Sequence, residues 1–453
     1  MRIRKNIFVI LSLIFAPYRL GSVCADEKTI HTAENTLSSS SIINNFSFKL
    51  LRAITEDSTK QKNIVVSPLS AAFTLGILDD GADGNTKAEI DSVLGCDNAC
   101  FDSLAYNMLI DFKKKDTLKY TEYRVNILPK LKNNSFHSST GRSTHKDSLS
   151  HISSQSFERV DTLAQVLMSN CIIVNNKYRL KKDYQDKVNS IYSAFVQDMD
   201  FSSPQTKDFI NNWCSKRTCG MIPEIIDEIH PDDRMYALNT LYFKGKWTDE
   251  FKEEDTKYDS FKKSNHHSEK IMMMNKEANC LYHENKLYTS LNMEYGSGKY
   301  SMIILLPNKG NGTNDLLKRM DDSTWKENLK EMKLKTVKVK IPKFTIKTSL
   351  NLIKPLKGMG IISAFDDHKA SFNHISNDFL SISLMIQKVR IDVNEKETKA
   401  AAATLEGRLA GYDGPCRKPK YIKFYATHPF VYAIVENSTN TILFIGKYEG
   451  EEE

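Results

Sequence analysis

The chain has 453 residues, 40% hydrophobic and 26% charged, proportions of a soluble globular protein and not of a disordered one. Its net charge of +7 is spread over 63 basic and 56 acidic residues, so the surface is mixed and nothing in it selects nucleic acid as a partner. The N-terminus has a basic start (Arg2, Arg4, Lys5), an apolar run from Ile7 to Ala16 and Val23-Cys24-Ala25 before Asp26. Residues 1 to 25 therefore read as a secretory signal peptide; the run is too short to span a bilayer, and a secreted, extracellular protein with no membrane partner is expected.

Beyond the signal, Asn45 to Ile54 carries apolar residues at helical spacing. NIVVSPLSAAFTLG reads as a short strand and then a helix, with Ser67 as its N-cap and Pro68 at its first position; a second helix starts near Asn85-Thr86. From 111 to 159 the composition turns polar, and a long loop-like insertion is expected. SNCIIV resumes regular structure, followed by helices over YRLKKDYQDKVNSIY and around DFINNWCSKRTCG. Strands dominate from there: MYALNTLYFKGKW, YTSLNMEY, SMIILLP, VKVKIPKFTIK and SISLMIQKVRIDV, with VYAIV and TILFIG flanking ENSTN as a hairpin. Helices first and strands later, without a βαβ rhythm, argue an α+β fold.

Seven cysteines remain after the signal. CDNAC and CSKRTC are each spaced to close a small local disulfide, but in so long a chain buried free thiols are the expectation, and the pairs are too few for a zinc site. Asn45, Asn133, Asn311 and Asn437 head glycosylation sequons. No nucleophile elbow, zinc-protease motif or phosphate loop is present; YGSGKY reads as a turn between strands, and DDGADGNTKAEI lacks the ligands of a calcium loop. Neither an enzyme nor a cofactor or metal protein is indicated.

The stretch KETKAAAATLEGRLAG has almost nothing to bury. As a strand it would turn Thr398, Ala400, Ala402 and Thr404 to one side, small enough to slip between existing strands. With NIVVSPLSAAFTLGILDDGADGNT, NTLYFKGKWTDEF, VKVKIPKF, VRIDVNEKETKAAAAT and HPFVYAIVENSTNTILFIGKY in that order, the chain resembles the serpins over nearly its whole mature length. The resemblance implies a single domain over 26–453, with three β-sheets, about eight or nine helices and an exposed reactive loop over 395–420. It also implies a suicide-substrate inhibitor of serine endopeptidases, whose cleaved loop enters the large sheet before the acyl-enzyme hydrolyses.

Carried over by position, the hinge comprises Glu395, Glu397, Thr398, Ala400, Ala401, Ala402, Ala403 and Thr404, with Glu397 standing where the family usually has Gly and Lys399 where it usually has Glu. Trp247 matches the aromatic where the sheet first opens, Lys343 the basic partner of Glu395, and Ser67, Ser70 and Asn239 the polar residues under the sheet; Gln387 takes the place of the usual histidine. Counting forward from Glu395 puts the reactive bond at Gly411-Tyr412, and counting back from Phe424 puts it near Cys416-Arg417. Cleavage after Tyr412 fits a chymotrypsin-like target, after Ala410 or Gly411 an elastase-like one, and Arg408 or Arg417 a trypsin-like one. A monomer is expected, with a sulfated polysaccharide as a second partner through the basic residues of 111–159. The alternative is a non-inhibitory serpin acting as a carrier or chaperone.

Overall fold

The computed structural model describes residues 27–57, 63–114, 116–127, 152–264, 267–395 and 421–451. A smaller compact unit includes Thr117–Thr162, and a larger one comprises Cys24–Asp116, Leu163–Thr398 and Pro415–Glu453. Among the described residues, no helix is long and apolar enough to cross a membrane.

Helix α1 (Glu27–Asp57) runs well beyond the span its apolar spacing marks. Strand β1 (Ile64–Val66) leads into α2 (Pro68–Gly81), where the Ser67 side chain accepts from the Ser70 N–H and Pro68 opens the first turn, as the sequence requires. Every residue of α2 is buried, which fits its apolarity on all sides and makes it the helix at the centre of the core. Helix α3 (Gly84–Leu94) starts slightly ahead of the expected Asn85-Thr86, because the Asp83 carboxylate caps it. Next come α4 (Asn98–Lys113), β2 (Asp116–Ile127), β3 (Ile152–Asn175), α5 (Lys182–Tyr192), β4 (Phe195–Met199), α6 (Pro204–Arg217) and β5 (Met235–Gly245).

The polar span 111–159 is not simply a loop: both of its ends are regular structure, and residues 115 and 128–151 lie outside the described residues. Alternating aromatic and β-branched residues in DTLKYTEYRVNI explain the strand, whereas overall polarity concealed it.

The remaining elements are β6 (Lys257–Lys262), β7 (Ser268–Glu284), β8 (Tyr288–Tyr295), β9 (Tyr300–Pro307), α7 (Thr313–Arg319), α8 (Asp322–Glu331), β10 (Lys333–Pro342), β11 (Phe344–Asn351), α9 (Ile353–Met359), β12 (Ile382–Val393), β13 (Ile422–Tyr425), β14 (Phe430–Glu436) and β15 (Thr441–Tyr448). The apolar run of β9 is buried throughout, while β11 alternates strictly between buried and exposed. YGSGKY is indeed the turn between β8 and β9, and Gly296 (φ 63°) and Gly298 (φ 89°) supply the left-handed backbone it needs.

One hydrogen-bonded network orders β1-β15-β14-β9-β8-β7-β10-β13, with β6 also on β7. Strand β7 serves two sheets within it, since Leu281–Glu284 pair with β8 whereas Met273–Tyr282 pair with β10. In the larger unit another sheet orders β11-β12-β5-β3, with β4 beside β3. Sharing β7 thus accounts for the three sheets of an α+β chain.

Candidate functional site: a seam between two parallel strands

Strands β5 and β12 are neighbours in the sheet although residues 246–381 separate them in sequence, and they run parallel, from Ile382 opposite Met235 to Arg390 opposite Tyr242. On their outer sides both have antiparallel partners: β12 pairs with β11, and β5 with β3. Pairing across the seam stops at Arg390 and Tyr242, yet β12 continues along β11 as far as Val393 and β5 along β3 as far as Gly245. The seam is therefore already parted at the end where the chain leaves β12 for Asn394 and Glu395.

Three side chains hold the parted end. The Trp247 indole N–H crosses it and donates to the Asn394 carbonyl at 2.9 Å. Trp247 is fixed by stacking on Tyr295, with ring centroids 4.0 Å apart. Beyond Asn394, the buried Glu395 carboxylate meets the Lys343 ammonium at 2.8 Å. Burial is the largest single influence on Glu395 and opposes its charged form, but the hydrogen bonds to the carboxylate, that from Lys343 the strongest, together with the Lys343 charge outweigh it and hold the carboxyl below its ordinary range.

Halfway along the seam, Gln387 of β12 lies opposite Asn239 of β5, and the two side chains are bonded across it, Gln387 Nε2 donating to Asn239 Oδ1 at 3.0 Å. The same Gln387 amide donates to the Ser67 carbonyl and accepts from the Ser67 N–H, both at 2.9 Å. Asn239 donates to the Ser70 carbonyl at 3.1 Å and to Asn170 Oδ1, which also accepts from Thr74 at 3.2 Å. All these groups are buried, so each relies on the others for its hydrogen bonds. The start of α2 is thereby pinned beneath the middle of the seam.

A separate apolar cluster covers the seam on the α6 side. Ile210 and Cys214 of α6, with Ile222, Ile225 and Ile226 after it, pack on Cys171 and Ile173 of β3 and Tyr236 and Leu238 of β5, and Leu384 and Ile386 of β12 pack against the same cluster. Helix α6 thus bridges both sides of the line along which the sheet would part.

The structure gathers the predicted residues into two groups: Trp247, Lys343 and Glu395 at the parted end, and Ser67, Ser70, Asn239 and Gln387 at the middle. Glu397, Thr398, Ala400 to Ala403, Thr404, Arg408, Ala410, Gly411, Tyr412 and Arg417 lie outside the described residues. Asn170, Thr74 and Tyr295 were missed; an asparagine inside the apolar run SNCIIV was the available signal for the first.

Of the sequon residues, Asn45 is exposed on α1, Asn311 is partly exposed, and Asn133 lies outside the described residues. The Asn437 amide donates to the Gly298 carbonyl and to Ser301 Oγ, both at 2.7 Å, so a glycan on that nitrogen, which replaces one of its two hydrogens, would remove one of these bonds. Among the described residues no cluster of metal-binding side chains occurs.

A family model described as Serpin (serine protease inhibitor) matches residues 41–450. Among curated relatives, heparin cofactor 2 of Oryctolagus cuniculus is 28% identical over 89% of this chain and 75% of its own length, and Serpin B10 of Homo sapiens is 29% identical over 89% and 97%. Among solved structures, native protease nexin-1 with heparin superposes with a TM-score of 0.74 at 23% identity, over 92% of this chain and all of that one.

Proposed function

The chain belongs to the serpin family, and on that premise we propose that it is a secreted suicide-substrate inhibitor of serine endopeptidases, with the segment after Glu395 as bait. The observation that carries this reading is the parted, parallel seam. A segment that turns back after Glu395 and enters between β12 and β5 runs antiparallel to both, so one parallel pairing is exchanged for two antiparallel ones, which are slightly more stable per residue.

Strand β12 has 12 residues, and a returning strand of matching length after a turn of about four residues from Glu395 ends near Gly411. This supports Gly411-Tyr412 as the reactive bond, because a peptidase acylated there is carried the full length of the seam. In the inserted strand Ala400, Ala402 and Thr404 face the same side and fit without a preformed cavity, with Thr398 in the turn before them. Cleavage there, after Gly411, or one residue earlier after Ala410, suits an elastase-like target, and cleavage one residue later, after Tyr412, a chymotrypsin-like one. A sulfated polysaccharide is the second partner proposed, supported by the basic residues of 111–159 and by a relative named for heparin.

Incubation with chymotrypsin, elastase and trypsin tests the proposal. A covalent complex that survives SDS, and a released peptide beginning at Tyr412 or close to it, are expected. Clean cleavage without a complex by every peptidase would support the carrier or chaperone alternative. Retention on a heparin column tests the second partner.

A further inference from the structure

Two stretches that meet beside the bait are basic without interruption. No acidic residue occurs between Asp413 and Glu436, where Arg417, Lys418, Lys420 and Lys423 follow the proposed bond, and none occurs from Lys333 to Lys343, which holds five lysines. The described chain resumes at Tyr421, and β13 then pairs with β10, placing Lys423 beside Lys338 and Tyr425 beside Lys340. Because Val337, Val339 and Ile341 of β10 are buried, Lys338 and Lys340 turn to the outer face, and Lys423 turns with them.

Like charges side by side on adjacent strands repel, so the pair Lys338 and Lys423 costs the fold something. Tyrosine rings hold both: the Lys338 ammonium stands 4.5 Å from the Tyr421 ring centroid, and that of Lys423 6.0 Å from the Tyr425 centroid. Nearby acids are engaged elsewhere. Glu277, opposite Lys338 on β7, accepts from the Tyr421 hydroxyl, and Asp259 pairs with Lys340, which leaves Lys338 and Lys423 without an ion pair among the described residues. Further along the same outer face, Leu334 is 66% exposed opposite Leu281, which is 37% exposed, an apolar pair left in water. Ammoniums next to exposed leucines suit a protein surface better than a polysaccharide.

The position of this face beside the bait indicates which protein. Gly411 and Tyr421 are about ten residues apart, at most about 35 Å when extended, whereas a compact peptidase of roughly 240 residues is about 45 Å across. A peptidase seated on the bond therefore reaches this face. We propose that Lys338 and Lys423, held by Tyr421 and Tyr425, are a specificity-determining surface that favours peptidases with an acidic patch on the side that binds the residues after the cleaved bond. The inference rests on the inhibitor reading of the loop. Such charges act mainly on the rate of encounter and are screened by salt.

Chymotrypsin and elastase, each native and succinylated to turn surface ammoniums into carboxylates, provide the test with the full chain. The unaltered chain should form its covalent complex faster with the succinylated form, by about three- to tenfold at low salt, and the preference should shrink in 0.5 M NaCl. Lys338→Glu with Lys423→Glu should reverse the preference, Lys338→Gln with Lys423→Gln should weaken it, and Lys338→Arg with Lys423→Arg should keep it. The bond cut and the number of inhibitor molecules consumed per trapped peptidase should not change, which a merely structural role would not allow. Equal rates for the unaltered chain and the Glu and Gln variants would overturn this surface while leaving the inhibitor reading intact. The same equality with loss of retention on a heparin column would give the face to a polysaccharide and overturn it too. No complex from the unaltered chain with either peptidase in either form would instead overturn the inhibitor reading, and this inference with it.

Discussion

Gln387 satisfies the Ser67 backbone and the Asn239 side chain at once, on both sides of the line where the sheet would part. Gln387→Leu would leave the buried Ser67 N–H and Asn239 Oδ1 without partners, while the Ser67 carbonyl keeps the Ala71 N–H, at a cost of about 1–3 kcal/mol for each unsatisfied group. A lower urea midpoint is expected, together with faster spontaneous loss of inhibitory capacity as the seam loosens. An unchanged midpoint would contradict the role given to the network. At the parted end the Lys343 to Glu395 pair has a buried carboxylate and a half-exposed ammonium, so its contribution is about 1 kcal/mol or less. The Glu395 pKa is depressed in the folded chain, so this stability is complete above the ordinary value of 4.5 and is lost as pH falls through the lower folded value. Lys343→Ala should remove that part of the pH dependence, and thermal melts from neutral pH down to acid would show the difference between the two proteins shrinking.

Among the elements, α6 sets how easily the seam parts, because its cluster spans β3, β5 and β12. Ile210 is fully buried there, and Ile210→Ala should cost about 2–5 kcal/mol in unfolding experiments. The same variant should accept the loop faster, giving a higher proportion of trapped to merely cleaved inhibitor on gels. Much of this scale was legible in the sequence: Ser67-Pro68 announces α2, and period-two or continuous apolar runs announce β9, β11 and the β14 to β15 hairpin. What was not legible depends on pairing at a distance. No local pattern says that Gln387 lies opposite Asn239, or that pairing stops at Arg390; the first came from resemblance and the second only from the register. The strands at the ends of 111–159 were missed because composition was read there in place of periodicity.

For the whole molecule, the proposal requires that the folded chain with an intact loop is not its most stable form. Glu397, which stands where relatives usually have glycine, bears on the turn at the start of insertion, since a side chain restricts the backbone that glycine leaves free. Glu397→Gly should therefore lower the number of inhibitor molecules consumed per trapped peptidase, measured by titration; an unchanged number would place the turn elsewhere. The central claim, that the cut segment enters between β5 and β12, is tested most directly by comparing the thermal unfolding of the intact chain with that of the chain cleaved in 408–418. A cleaved form that unfolds tens of degrees higher, with new protection of the β5 and β12 amides from hydrogen exchange, is the predicted result. A cleaved form that melts at or below the intact one, with those amides unchanged, would contradict it.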